Sequence, residues 1–377
     1  MSLHHRVFAA FFLYAFALGG LYPRIGEIQN AMGVGEGALG MALIGTAAGT
    51  LVSLTWGPPV LERWGYRAAL LWLVPTVALG YALASWASAP WMLFVLLFPA
   101  GIAVGAVEVM VNVEADRVEH RIGWRIMNRA HAFWSLGFFG AGITGAAAAH
   151  WGVSPQAQLA GVCVVVLVAN TALLWRFVPS PARPQTGEPV ATPGFARPTG
   201  PILLLVALSF SAMTLEGAGI DWSSIYMRDV FAVSPGVAGL AVAVGALAQG
   251  ITRFTADRFV ERYSPVLVAR LALSVLVLGV TLVVLALHPA VSLLAFALMG
   301  AGTSVIFPLA MSAAAQRHDR PAAINVAALS QLAFVAFLLA PPLLGWVAEH
   351  WGIRWAFGVC LPLVALSLWA THSLKRP

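Results

Sequence analysis

Charge is scarce in this sequence. Only 10% of its 377 residues are Asp, Glu, Lys or Arg and 60% are hydrophobic, whereas a soluble globular chain carries about 25% charged residues. That deficit excludes a water-soluble globule and points to a chain solvated by lipid over most of its length. No polar stretch is long enough to form a separate soluble domain. Cysteine is nearly absent too. Cys163 and Cys360 lie inside apolar runs, without a nearby Cys or His at metal-ligand spacing, so they read as core packing and no metal is expected. Nothing resembles a P-loop or an ABC signature, which excludes nucleotide hydrolysis as an energy source and leaves an ion gradient. No nucleophile–base constellation argues for an enzyme, and no cofactor is expected. The formal charge is +6, yet the basic residues recur as short clusters between apolar runs. They form no single patch for nucleic acid.

What is present is a series of long apolar runs. A bilayer core about 30 Å thick requires roughly 20 apolar residues per helix. Such runs cover residues 7–29, 37–60, 67–88, 91–117, 127–149 and 155–177, then 201–228, 236–258, 265–287, 291–315, 322–347 and 353–373. Ala15-Phe16-Ala17 imitates a signal-peptidase site, but cleavage there would leave an odd number of spans, so the first run is read as an uncleaved helix. With the N-terminus inside, the cytoplasmic ends hold Arg6, Arg63, Arg67, Arg117, Arg121, Arg125, Arg129, Arg176, Arg183 and Arg197. The second half adds Arg253, Arg258, Arg262, Arg270, Arg317, Arg320, Lys375 and Arg376, against only Arg24, Arg228 and Arg354 outside. A miscounted helix would scramble this alternation, so the charge pattern supports twelve spans with both termini cytoplasmic.

The stretch 179–199 is rich in proline (Pro179, Pro181, Pro184, Pro189, Pro193, Pro198) and reads as a cytoplasmic linker. It separates six-helix bundles at 1–178 and 200–377. The two halves resemble each other. Met32 to Gly40 lines up with Phe231 to Gly239, and at the same offset Glu62-Arg63 falls on Glu261-Arg262 and Gly101 on Gly300. One residue later in register, His150-Trp151-Gly152 matches His350-Trp351-Gly352. Because each half has an even number of spans, the repeats are parallel, related about an axis along the membrane normal. The fold class expected is therefore an all-α membrane protein of two six-helix pseudo-repeats, the arrangement of a secondary transporter.

A carboxylate at the bilayer centre costs roughly 2.5–3.5 kcal/mol on insertion scales, so one that stays there is a functional candidate. Glu108 shares a helical face with Gly101, Gly105 and Asn112. The glycines permit close helix approach, and the stripe then presents a carboxylate and an amide to the interior. Glu216 lies near the middle of the seventh span, where Gly217 and Gly219 could loosen the helix, and Asp221 lies further toward the outer end. Glu108, Glu216 and Asp221 are thus the candidates for proton coupling. Substrate-binding candidates add Tyr14, Asn112, His131, Trp134, Trp222, Gln249, Asn325 and Gln331. Arg24 joins them, or snorkels to the outer interface, with Glu27 as a further partner. Between the second and third spans, Glu62, Arg63 and Arg67, with Asp257 and Arg258 as their counterpart, could pair across the halves as a cytoplasmic gate.

The segment from Pro58 through Glu62, Arg63, Gly65 and Arg67 resembles the loop motif G-x-L-a-D-r-x-G-r-R of the major facilitator superfamily, with Pro58 at its first Gly and Glu62 at its Asp. The resemblance covers essentially the whole chain. Glu108-Val-Met-Val-Asn112, His131-Ala-Phe-Trp134 and Glu216-Gly-Ala-Gly-Ile-Asp221-Trp222 are similar to a bacterial fucose-permease-related branch that includes a rhizopine-associated group. In that branch the permease's Glu of Glu-x-x-x-Asn contributes to sugar binding and proton coupling, and Glu108 and Asn112 match the pair. Two positions depart from it: His131 and Trp134 replace a Gln and an Asn, and Tyr22 stands near a missing helix 1 Asp.

The sequence leads to a monomeric, multi-pass protein of a bacterial inner membrane, carrying a small polar, sugar- or polyol-like solute with protons by alternating access. A proton-antiport exporter of drugs or metabolites is the nearer alternative, and a non-transporting receptor or assembly partner the one from another class. The topology is testable by itself: a reporter active only outside the cytoplasm should be silent when fused at Val190 and active when fused at Trp151. The reverse pattern would invert the assigned orientation.

Overall fold

The computed structural model describes residues 2–124, 126–181, 196–317 and 319–375. Most of the expected linker, with Arg125, Arg183 and Arg376, lies outside the described residues, as do the side chains of Glu62 and Asp257. Twelve helices are long and apolar enough to cross a membrane. They are α1 (Leu3–Met32), α2 (Glu36–Trp56), α3 (Tyr66–Ala84), α4 (Pro90–Ile122), α5 (Arg129–His150) and α6 (Pro155–Leu174). The second set is α7 (Gly200–Phe231), α8 (Pro235–Ala256), α9 (Pro265–Leu285), α10 (Pro289–Ala315), α11 (Ile324–Trp351) and α12 (Ile353–Leu374). Among the described residues there is no strand. Helix is the outcome because hydrocarbon offers no partner for backbone N–H and C=O groups, and an α-helix satisfies them within itself. Pro90, Pro155, Pro235, Pro265 and Pro289 each open a span, where a missing N–H costs nothing.

Interior prolines interrupt three spans, α1, α10 and α12, and in the first two a side chain takes up a freed carbonyl. In α1 the helix gives way to a 3-10 turn at Tyr22–Arg24, containing Pro23. The Gly20 carbonyl there accepts from Gln158 Nε2 at 3.4 Å. In α10 the helix breaks between Thr303 and Ile306. Pro308 cannot donate to the carbonyl of Ser304, and that oxygen accepts from Arg253 Nε at 3.2 Å. The seventh span corrects an expectation: Gly200–Phe231 is one continuous helix through Gly217 and Gly219. Glycine removes a side chain but no backbone hydrogen bond, so it does not open a helix by itself.

The repeat seen in the sequence is also a repeat of contacts. A Cβ on Gly101 would stand 2.2 Å from the Thr46 carbonyl oxygen, and one on Gly300 2.1 Å from the Gly245 carbonyl oxygen. These pairs occupy equivalent positions in the two halves. Each lets one helix lie directly on the backbone of its neighbour, α4 on α2 and α10 on α8, where van der Waals contact is the main attraction available in lipid. Between the halves, α2 packs on α11 and α5 on α8, again an equivalent pair. The termini share one end of the molecule, since each set of six returns the chain to its starting side.

Hydrogen bonds between the halves concentrate at the opposite end. Arg228, near the end of α7, donates to Gly26 O at 2.7 Å, Gln29 Oε1 at 2.8 Å and Asn30 Oδ1 at 2.9 Å, all in the last turns of α1. Glu349, ending α11, accepts from Gly37 N at 3.1 Å, at the start of α2. A cation thus sits on a helix C-terminus and an anion on the next helix's N-terminus, each complementing the local dipole. Ser224 Oγ adds a bond to Tyr22 O at 3.0 Å. Toward the terminus-bearing end, such bonds stop among the described residues at Arg253 and Ser135. The Arg228 and Glu349 grip should therefore hold this end shut. With Cys163 and Cys360 replaced by Ser and a Cys at position 219, R228A/E349Q should speed labelling by an impermeant maleimide from this end about ten-fold, because hydrogen bonds to charged groups contribute ~1.5–3 kcal/mol each. Unchanged labelling would reduce the grip to a packing contact.

Candidate functional site

Two polar clusters face each other across the interior. The first is built on α1, α4 and α5. Asn112 follows Glu108 by one helical turn, and its Nδ2 donates to Glu108 O at 2.8 Å and Glu108 Oε1 at 2.9 Å. His131 Nε2 meets Asn112 Oδ1 at 3.1 Å, and the imidazole stands edge-on to Phe11 with centroids 5.1 Å apart. The buried Tyr14 hydroxyl faces Glu108 from α1. Tyr14, Asn112 and His131, singled out separately in the sequence, thus assemble around the Glu108 carboxylate.

The second cluster lies on α7 and α8. Gln249 Nε2 donates to Glu216 Oε1 at 2.7 Å and Arg253 Nη2 reaches the same oxygen at 3.3 Å. Both donors meet Oε1, so Oε2 carries neither bond. The ion pair is mostly buried, with side-chain exposures of 16% for Arg253 and 17% for Glu216. Arg253 Nη1 approaches Ser135 Oγ of α5 at 3.5 Å, and its guanidinium is also within electrostatic reach of Glu108 and His131. It is the cation shared by both clusters.

Beside this pair is a small cleft. Trp134 and Phe138, stacked with centroids 5.2 Å apart, form its α5 wall. Glu216, Gly219, Gln249, Phe296 and Thr303 line the others. Asp221 sits apart from it, within electrostatic reach of Tyr22 and Tyr81, whose ring centroids are 6.2 Å apart.

Four candidates lie elsewhere. Arg24 is fully buried rather than snorkelling: it pairs with Glu27 (Nε–Oε2 2.5 Å), donates to Val153 O at 2.6 Å and approaches Gln158 at 3.5 Å. It fastens the α1 break to the α5–α6 turn. Trp222, also fully buried, packs its ring where a Cβ on Gly345 of α11 would be 3.1 Å away. Asn325 donates to Asp319 Oδ1 at 2.9 Å, which holds that loop carboxyl below its ordinary pKa. Gln331 accepts from Ala196 N at 3.0 Å, four residues before α7 begins. Of the gate residues, Arg67 lies over the Trp175 ring at 5.7 Å, within its own half, and Arg63 and Arg258 are exposed.

Arg253 was missed as a site residue, because the sequence assigned it to a cytoplasmic helix end. The signal existed: it follows Gln249 by four residues, hence on the same face, and falls inside the apolar run. Its removal should leave Glu216 a poorly compensated buried charge. R253A should lower stability by about 3 kcal/mol, and adding E216Q should recover much of it. Thermal unfolding of the single and double variants measures this, and equal melting of the two would deny the coupling.

Comparison with known proteins agrees with the fold. Residues 203–377 match the Major Facilitator Superfamily. An uncharacterised MFS-type transporter of Yersinia pestis is 27% identical over 96% of this chain and 93% of its own length. The uncharacterised transporter y4wD of Sinorhizobium fredii is 28% identical, covering 96% of each chain. Membrane protein MosC of Rhizobium meliloti is 26% identical over 91% of this chain and 83% of its own. Among solved structures, a variant of the nucleoside transporter NupG superposes with a TM-score of 0.78 at 12% identity, covering 99% of this chain and 100% of the other. A D-xylose-proton symporter gives 0.72 at 12% identity, covering 99% and 96%. Two of the three relatives are named as transporters and all three come from bacteria, which fits a multi-pass protein of a bacterial inner membrane. The matched second half and the relatives along nearly the whole chain make this protein similar to the major facilitator superfamily, and the solved transporters share its fold.

Proposed function

We propose that this protein is a proton-coupled secondary transporter that moves a small polar solute of sugar or polyol type by alternating access between its two halves. The observation that carries this reading is the pairing of an intramembrane carboxylate cluster with a cleft. Glu108 is set among hydrogen-bond donors on one half, and Glu216, held by Gln249 and Arg253, opens on the cleft of the other. Glu216 Oε2 is placed to accept from a solute hydroxyl, while Trp134 and Phe138 offer a flat apolar face for the ring of the same solute. Glu108 is the first candidate for the coupled proton and Glu216 the second, with Asp221 as a further acidic group toward the closed end. The Glu108–Asn112 pair supports placing the chain in the fucose-permease-related branch. The orientation read from the basic residues makes the terminus-bearing end cytoplasmic, the closed end periplasmic and this state inward-facing. The bundles at 1–178 and 200–377 would then rock about the central clusters, as a monomer.

Export of an amphipathic compound by proton antiport is a second reading, favoured by the largely aliphatic and aromatic wall of Phe138, Leu215, Ile220, Phe296 and Met299. A thermal-shift screen of the purified protein against sugars, polyols, amino sugars, nucleosides and hydrophobic drugs separates the two, since a specific ligand stabilises the state that binds it. With the ligand so identified, E108Q in proteoliposomes should lose pH-driven accumulation and keep solute counterflow. Full proton-driven uptake by E108Q would remove Glu108 from the mechanism.

A further inference from the structure

We infer that Asn112 is a positioning residue that fixes His131 as a hydrogen-bond donor, so that His131 braces Glu108 without carrying the transported proton. The argument is one of hydrogen-bond polarity. The Asn112 side chain touches two oxygens of Glu108, the backbone carbonyl at 2.8 Å and carboxyl Oε1 at 2.9 Å. A backbone carbonyl can only accept, so the amide nitrogen must face Glu108. Turning the amide over would set its oxygen against that carbonyl, lone pair to lone pair. With the amide so oriented, Oδ1 is the atom that meets His131 Nε2 at 3.1 Å. An amide oxygen cannot donate, so the proton must lie on Nε2.

The direction of donation is therefore settled from α5 to α4: His131 donates to Asn112, and Asn112 donates to Glu108. Tyr14 adds a hydroxyl from α1. An amide is a poor relay, because its nitrogen is not basic and already holds both of its hydrogens. Asn112 thus insulates His131 from Glu108 for proton transfer while joining them mechanically. The phenol of Tyr14 is the neighbour able to reverse, donating to the charged carboxylate and accepting from the protonated acid. The remaining charged group facing the cluster is Arg253 from α8, within electrostatic reach of both Glu108 and His131. The part of this inference concerning the transported proton rests on the reading of Glu108 as the coupling carboxylate; the donor assignment does not.

Two measurements on the full chain in lipid separate these parts. Imidazole nitrogen spectra of isotope-labelled histidine, with His131 identified by difference from H131Q, should show a protonated Nε2 at neutral pH. That preference should fade in N112L. A bare Nε2 would overturn the donor assignment. In proteoliposomes, H131Q keeps an N–H donor at comparable reach but no titratable ring, so uptake should remain proton-driven with its pH profile unshifted, whatever its rate. H131L leaves the Asn112 oxygen unpaired and should lose about ten-fold or more. Loss of proton coupling in H131Q with counterflow retained would show that His131 carries the proton and overturn the proposal. If the natural protein shows no pH-driven uptake, the coupling reading of Glu108 fails, and the imidazole spectrum decides the donor assignment alone.

Discussion

Hydrocarbon cannot hydrogen-bond, and every other feature of this molecule is arranged around that fact. It forces the backbone into helices, and it makes a departure from helix an exposed polar group, which in two spans a side chain answers. The break in α1 leaves the Gly20 carbonyl to Gln158, and the break in α10 leaves the Ser304 carbonyl to Arg253. The second case matters for chemistry as well as folding. By taking that carbonyl, Arg253 is anchored at a fixed height in the bundle, and its remaining N–H groups point toward Glu216 and Ser135. A proline in one helix thus helps to position the central cation of another.

The same constraint explains why the interior charges come as groups. Glu216 is neutralised by Arg253 and supported by Gln249, and Glu108 accepts from Asn112 and faces the Tyr14 hydroxyl. Left alone, either carboxylate would carry the full cost of desolvation. The two groups nevertheless differ in kind. One is an ion pair beside a cleft, the other a carboxylate among neutral donors, and the guanidinium of Arg253 lies close enough for the electrostatics of the two to be linked. The helices that carry them obey the internal repeat, down to equivalent glycine contacts at Gly101 and Gly300. The charged residues do not: Glu108 aligns with Phe307, and Glu216 with Ala17.

At the end remote from the termini, Arg228 and Glu349 meet the α1–α2 turn from two sides, and toward the other end the bonds between halves stop, among the described residues, at Arg253 and Ser135. The asymmetry between the ends is what a carrier captured in one of its access states would present. Breaking such contacts must be balanced by forming others elsewhere, since the two access states of a carrier have to lie within a few kcal/mol of each other to interconvert.

The span count, the internal repeat and the depth of Glu108 and Glu216 were legible in the sequence, because lipid imposes a one-dimensional code of apolar length and flanking charge. Helical periodicity likewise placed Asn112 on the face of Glu108. Partnership across helices has no such code. Arg253 read as one more basic residue at a helix end until the α10 break and Glu216 were seen beside it. Asn325 and Gln331 read as possible ligand contacts until Asp319 and Ala196 were seen beside them. Arg24, whose pairing with Glu27 the sequence offered, meets Val153 and Gln158 only in the packed bundle. A polar residue in an apolar run announces that it has a partner, but which partner depends on the rotation and contact of helices distant in sequence. Only the packed bundle decides that.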